Sequence, residues 1–244
     1  MRRIILMVAV CLAGGCASAP SPGSRDAWAP PAREASAATP VEAAAGHADS
    51  GDRTSPSAGP RTLLGGKDLA GWRVPGEMAF RRHGEVRLAD GVVHLGPGKP
   101  LTAIAWAGEF PRSNYEVQVQ AQRSAGGDFF CGMTFPVGRS HCTWIVGGWG
   151  GQVVGLSNVD GKSAAQNATT RRMTFETGRW YRLRLRVTSE RIACFIDGEA
   201  VIDQARGGHA FAIWPQQEPC RPFGIATYLT GSAIRSVTLR RLGE

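Results

Sequence analysis

The chain has 244 residues, 43% of them hydrophobic, with 28 Lys and Arg against 20 Asp and Glu and a formal net charge of +8. This length and apolar content suit one domain with a sizeable core. The basic balance favours anionic glycans or a membrane surface; nucleic acid is not an expected partner, because the chain carries no nucleic-acid-binding motif and its N-terminus reads as an export signal, which rarely brings a protein to nucleic acid.

In chain order, the first element reads as an export signal. Arg2 and Arg3 precede an apolar run over residues 4–12. That run is too short to cross a bilayer, which takes about 20 apolar residues. Leu12-Ala13-Gly14-Gly15-Cys16 resembles a bacterial lipobox, so residues 1–16 are expected to be a lipoprotein-type signal with Cys16 as the lipid-carrying residue. The alternative is ordinary cleavage after a small residue such as Ala19. A lipid at Cys16 would anchor the protein to a membrane without spanning it. It would place the protein in the cell envelope, periplasmic or on the outer surface.

Residues 17–62 are dominated by Ala, Pro, Ser, Gly and Thr. Such a segment cannot bury enough apolar area to offset its ordering entropy, and is expected to be a disordered linker. Its prolines would keep it extended, as a semi-rigid tether.

Residues 63–244 carry the domain, and its periodic segments have period two. Segments 85–88 and 92–95 flank Ala89-Asp90-Gly91, a hairpin signal. Segment 101–106 follows. Across 114–122, Tyr115, Val117, Val119 and Ala121 alternate with Glu116, Gln118, Gln120 and Gln122. Short strands are expected over 129–135, 143–146 and 152–156. Over 180–188, Tyr181, Leu183, Leu185 and Val187 alternate with Arg182, Arg184 and Arg186. Segment 191–196 turns at Asp197-Gly198 into 199–202, and strands over 223–229 and 233–242 close the domain. With no long amphipathic helix, the expected fold is all-β: a two-sheet antiparallel sandwich. The polar faces carrying Gln118 and Gln120, and Arg182, Arg184 and Arg186, would meet water or a ligand.

Four cysteines fall in the domain: Cys131, Cys142, Cys194 and Cys220. In an exported protein they are expected to form disulfides, for which three pairings exist. Cys131–Cys142 with Cys194–Cys220 is favoured, because a hairpin would bring the first pair together. No C-x-x-C or H-x-x-x-H spacing and no acidic calcium loop occurs, so no metal or other cofactor is expected.

The stretch 126–161 concentrates the candidate chemistry. Phe129, Phe130, Phe135, Trp144 and Trp149 are interleaved with glycines, and Asp128, Arg139, His141, Asn158 and Asp160 fall in or beside turns. Flat aromatics beside acids, amides and an Arg suit a sugar-binding surface. The same residues also suit sandwich core and turn punctuation. Trp149, between glycine pairs, is the leading candidate for stacking on a sugar, with Trp144 second. Asn158 and Asp160 are candidates to bond hydroxyl groups.

The opening Leu64-Gly65-Gly66-Lys67-Asp68-Leu69-Ala70-Gly71-Trp72 resembles that of the 3-keto-disaccharide hydrolase-like family. Asn114-Tyr115-Glu116-Val117, Gly178-Arg179-Trp180-Tyr181, Ile196-Asp197-Gly198 and the last strand, 234–242, resemble later family segments in the same order. The resemblance covers nearly all of 63–242. It implies a concanavalin A/laminin-G-like jelly roll acting on glycosides oxidised at C3. A base would remove the C2 hydrogen, the glycosidic oxygen would leave, and water would add. The chain departs from the family pattern at 142–147, which lacks the expected carboxylate, and at 132–136, which lacks the expected Arg. Catalytic candidates therefore come from nearby: Asp128 and His141 as bases, and Arg139, Arg171 or Arg172 to stabilise an enolate. Arg171 and Arg172 also count among the substrate-binding candidates. A non-catalytic carbohydrate-binding module or an envelope adhesion domain are the alternatives on the same scaffold.

Overall fold

The computed structural model describes residues 59–243. The signal segment, Cys16 and the linker up to residue 58 lie outside the described residues. In chain order the strands are β1 (Arg61–Leu64), β2 (Trp72–Arg73), β3 (Val86–Ala89), β4 (Val92–Leu95), β5 (Leu101–Trp106), β6 (Tyr115–Ala125), β7 (Cys131–Val137) and β8 (Ser140–Gly148). They continue as β9 (Val153–Ser157), β10 (Arg171–Arg172), β11 (Tyr181–Val187), β12 (Arg191–Ile196), β13 (Glu199–Ala205), β14 (Phe223–Tyr228) and β15 (Gly231–Arg241). Two short 3₁₀ helices, Met78–Phe80 and Pro215–Cys220, complete the fold.

The strands form two antiparallel sheets, and the chain is the two-layer β-sandwich that its period-two pattern predicts. The first sheet runs β13-β12-β11-β6-β15-β4-β3, with β1 added beside β15; the second runs β10-β9-β8-β7-β14-β5-β2. Two hairpins follow directly from their turn residues. Asp90-Gly91 and Asp197-Gly198 each hold positive φ at both central positions (52° and 75°; 52° and 97°). That is the backbone of a two-residue turn whose twist matches its flanking strands.

The core lies between the sheets. Tyr115, Val117, Val119, Leu183, Leu185, Ile234 and Val237 meet Phe130, Met133, Phe135, Trp144, Val146 and Ile225 there. Trp144 is completely buried in this layer and serves as core. A second, smaller apolar cluster sits on the other face of the seven-stranded sheet. It joins Leu101, Ala103, Phe129, Ile145, Ala226 and Tyr228 to Phe80 and Cys220 of the 3₁₀ helices. These helices thus cover part of the sheet face that would otherwise be solvated.

The expected disulfides are absent: Cys131, Cys142, Cys194 and Cys220 are all free and buried. The hairpin register explains the first pair. Cys131 lies opposite Val146 and Cys142 opposite Phe135, so the two thiols are offset by four rungs. That is roughly 14 Å along the ladder, about twice the Cα separation a disulfide tolerates. Cys194 belongs to β12 of the first sheet, whereas Cys220 lies on the far face of the second. Burial pushes the thiols of Cys131, Cys142 and Cys220 up to about 12, so they are inert at neutral pH.

Candidate functional site

The sequence neighbours Asp128, Arg139, His141 and Trp149 separate in space because β7 and β8 form a tight hairpin. Its turn is Gly138-Arg139, with Gly138 at φ 59°. Arg139 and His141 lie at the turn end; Asp128 and Trp149 lie at the open end, roughly 25 Å away along the strands.

At the open end, Asp128 is a brace. Its carboxylate accepts hydrogen bonds from the backbone N–H of Phe129 (2.7 Å) and of Gly150 (3.4 Å), and its own N–H donates to Thr230 Oγ1 (2.9 Å). Burial raises its pKa, and those N–H groups only partly offset the rise. Beside it the Arg123 guanidinium donates to the carbonyls of Phe175, Asp128, Gly147 and Gly151 at 3.0–3.4 Å. Trp149, at φ 48°, is half-buried and packs on the Phe129–Ile145–Val153 cluster. The glycines around it in sequence offered no such surface; the tertiary fold supplies it.

Asn158 and Asp160 follow β9 and zip against residues 210–212. The Asn158 N–H donates to Ala212 O (2.7 Å), and the Asp160 N–H to Ala210 O (2.8 Å). The Asp160 carboxylate faces His209 Nδ1 at 2.7 Å and accepts the Ala210 N–H at 2.8 Å; together these hold its pKa below the usual range. Arg171 and Arg172 lie exposed on β10, the outer edge of the second sheet.

The turn end carries a cavity of about 180 Å³, lined by Arg139, Ser140, His141, Ala212, Ile213, Glu218 and Arg221. Two chain segments some seventy residues apart build it. Ser140 Oγ donates to Phe211 O at 2.5 Å and pins the second segment to the hairpin. His141 alternates with Cys142 along β8, so it faces away from the inter-sheet core. It is only 4% exposed, and its Nε2 has no hydrogen-bond partner. Burial, then the positive charges of Arg221 and Arg112, push its pKa down to about 4 against the opposing pull of Glu218. The imidazole is therefore neutral at pH 7.

Glu218 and Arg221 form an ion pair at 2.7 Å. Gln217 is fully buried; its Oε1 accepts from Thr134 Oγ1 at 3.5 Å, and its Nε2 lacks a partner. Buried polar nitrogens without partners are uncommon in folded proteins and call for an explanation. Of the sequence candidates, this end brings together Arg139 and His141. Gln217, Glu218 and Arg221 were missed, because the segment Trp214-Pro215-Gln216-Gln217-Glu218-Pro219-Cys220-Arg221-Pro222 carries no periodicity and no motif. Its one available signal was a run of polar residues among prolines. Among the described residues, no group of three or more His, Cys, Asp and Glu could hold a metal ion.

The family model of the 3-keto-alpha-glucoside-1,2-lyase-like domain matches residues 59–240. The chain belongs to this family. The resemblance read from residues 64–72 and the later segments is thereby borne out. Solved structures agree on the fold of this lyase-like domain. The Crh5 transglycosylase in complex with NAG superposes with a TM-score of 0.51 at 13% identity, covering 78% of this chain and 89% of that one. The laminarinase from Flavobacterium sp. UMI-01 superposes at 0.50 and 13% identity, covering 76% of this chain and all of that one. None of the curated proteins matches the lyase-like chain in sequence.

Proposed function

We propose that this domain cleaves 3-oxo-glycosides at the cavity beside the β7–β8 turn, with His141 as the proton acceptor. One observation carries the reading: a buried, neutral imidazole whose Nε2 has no protein partner lines a cavity that also holds Arg139 and Arg221. A ketone at C3 acidifies the hydrogen on C2. Nε2 takes that proton, and the C2–H electron pair passes into the enolate at the C3 oxygen. The guanidinium groups of Arg139 and Arg221 supply positive charge where the enolate forms. Collapse of the enolate expels the glycosidic oxygen from C1, which leaves with a proton, and a C1=C2 double bond forms. Addition of water across it at C1 and C2 completes a net hydrolysis. Incubation with a 3-keto-disaccharide, following release of the leaving sugar, tests this. Turnover that falls at least 100-fold in His141→Gln supports it, and equal turnover in wild type and variant rejects it.

A second reading has its own support. Glu218, the cavity's only carboxylate, is tied up by Arg221. The domain would then be a carbohydrate-binding module that holds the sugar without turnover, and saturable binding with no product release would favour it. Under either reading the partner is a carbohydrate.

For localisation we propose export and anchoring through lipid on Cys16, with the residues between Cys16 and β1 as the tether. The N-terminal residue pattern supports this. The linker expected over residues 17–62 ends earlier, because Arg61 and Thr62 pair with β15. Among the described residues, no helix is long and apolar enough to cross a membrane. Metabolic labelling with a radiolabelled fatty acid tests the anchor: label that persists in Cys16→Ser would reject it.

A further inference from the structure

The outer face of the first sheet holds an organised cationic array far from the cavity. Strand register sets three parallel rows across β11, β6 and β15. Arg186, Glu116 and Arg240 form the first, Arg184, Gln118 and Thr238 the second, and Arg182, Gln120 and Ser236 the third. The Glu116 side chain is 2% exposed and holds three guanidinium groups: Arg186 at 3.0 Å, Arg240 at 3.1 Å and Arg184 at 3.3 Å. Gln118 Nε2 donates to the same carboxylate at 3.3 Å.

Arg184 also stacks on Phe195, its guanidinium carbon 3.7 Å from the ring centroid, and Arg235 stacks on Trp180 at 4.5 Å while donating to Gln120 Oε1 at 2.6 Å. Arg182 is exposed, and its side chain makes no ion pair among the described residues. Farther out on the face, Arg191 and Asp203 neutralise each other at 2.6 Å. The centre thus carries five guanidinium groups, those of Arg182, Arg184, Arg186, Arg235 and Arg240, against the buried carboxylate of Glu116; the Asp197 carboxylate beside Arg182, which accepts its backbone N–H at 2.9 Å, is neutralised by Arg179 at 2.9 Å. One carboxylate cannot neutralise this array, but it does fix where three of the positive charges stand. Side chains held in place lose less entropy when a ligand arrives.

We infer that this face is a second binding site, for an anionic polysaccharide bearing carboxylate or sulfate groups. Cationic positions repeat about every 7 Å along β11 and about 10 Å across two strands, a spacing on the scale of successive sugars in a chain. The neutral groups between them, Gln118, Gln120, Ser236 and Thr238, can exchange hydrogen bonds with hydroxyls. A bilayer is the poorer fit. Among the described residues the exposed large apolar side chains are Val74, Met78 and Leu229, and none of these three stands on this face to insert among lipid tails.

The test measures binding of the full chain to polygalacturonate, to neutral dextran, and to vesicles of phosphatidylglycerol or of phosphatidylcholine. The expected result is saturable binding to polygalacturonate that weakens with salt, and none to dextran. Arg182→Gln with Arg235→Gln should weaken it at least tenfold with the thermal midpoint retained. Arg171→Gln with Arg172→Gln removes the same charge from the edge of the other sheet and should change it less than twofold. Equal losses in the two double variants would reduce the effect to net charge and overturn the site. Absence of polygalacturonate binding would overturn it outright. Preference for phosphatidylglycerol over phosphatidylcholine vesicles that is lost in the Arg182/Arg235 variant would assign the face to a membrane and overturn the glycan. None of these readouts depends on turnover at His141.

Discussion

Arg186 stands directly across β11 and β6 from Glu116 and closes two hydrogen bonds on one carboxylate oxygen, with Nε at 3.1 Å and Nη2 at 3.0 Å from Oε2. The pair is the hub of the first sheet's outer face. Burial alone would raise the Glu116 pKa, but the bonds from Arg186 and Gln118 and the charges of Arg186 and Arg240 outweigh it and hold the group below the usual carboxylate range.

Glu116→Gln should destabilise the fold, because three guanidinium groups lose their shared counter-charge. The arginines keep partial access to water, so the cost should be about 2 kcal/mol, below that of breaking a fully buried pair. Urea unfolding with an unchanged slope checks it. The linkage has a definite sign. A depressed folded pKa means that the unfolded chain binds the proton first. The Glu116 contribution is thus fully present above about pH 4.3 and is lost as pH falls below it.

His141 titrates in the same sense but in a different window. Its folded pKa of about 4 lies below the roughly 6.5 of an unfolded histidine. Stability should fall as pH drops from about 6.5 towards 4, and His141→Gln should flatten that slope in thermal melts taken across the range. If Nε2 is the proton acceptor, the acid limb of kcat/KM with a 3-keto-disaccharide, which reports the free enzyme, should lie near pH 4. A limb near pH 6.5 would assign the step to another group.

Asp128→Ala should act on stability and leave the chemistry alone. The substitution removes the acceptor of two backbone N–H groups, at a cost of about 1–3 kcal/mol. Asp128 is remote from the cavity, so KM for a 3-keto-disaccharide and the pH profile should stay at wild-type values in protein kept below its melting temperature. A selective loss of kcat would reveal a catalytic part for this carboxylate.

The four domain thiols should be silent in the native protein and all reactive once it is unfolded. Peptide mapping after alkylation in denaturant, without reductant, should recover Cys131, Cys142, Cys194 and Cys220 as free thiols. A reducing agent should leave the thermal midpoint within about one degree, since there is no cross-link in this domain to remove.

Features set by short-range preferences were legible in the sequence, and features set by long-range pairing were not. Alternation over Tyr115–Ala121 and Tyr181–Val187 made strands β6 and β11 readable, and Asp90-Gly91 and Asp197-Gly198 made their hairpins readable. In each case the cause lies within a few neighbouring residues. The arginine and glutamine faces were legible as polar for the same reason. Their union around one buried Glu116 was not, because it required the pairing of β6 with β11 and β15. The cysteine pairing failed on register: a hairpin was foreseen between Cys131 and Cys142, but a shift along it moves any two side chains apart by several ångströms per residue.

By itself the sequence determined the all-β character, the alternation of buried and solvated positions and the family, since backbone preference, turn chemistry and local motifs are written in adjacent residues. Only the tertiary structure decided that Trp149 would lean on Phe129 and Ile145, that Asp128 would part from His141, and that Glu218 and Arg221 would close on the β7–β8 turn. Those outcomes come from packing between segments tens of residues apart, where solvent exclusion and sheet register, rather than proximity along the chain, select the neighbours.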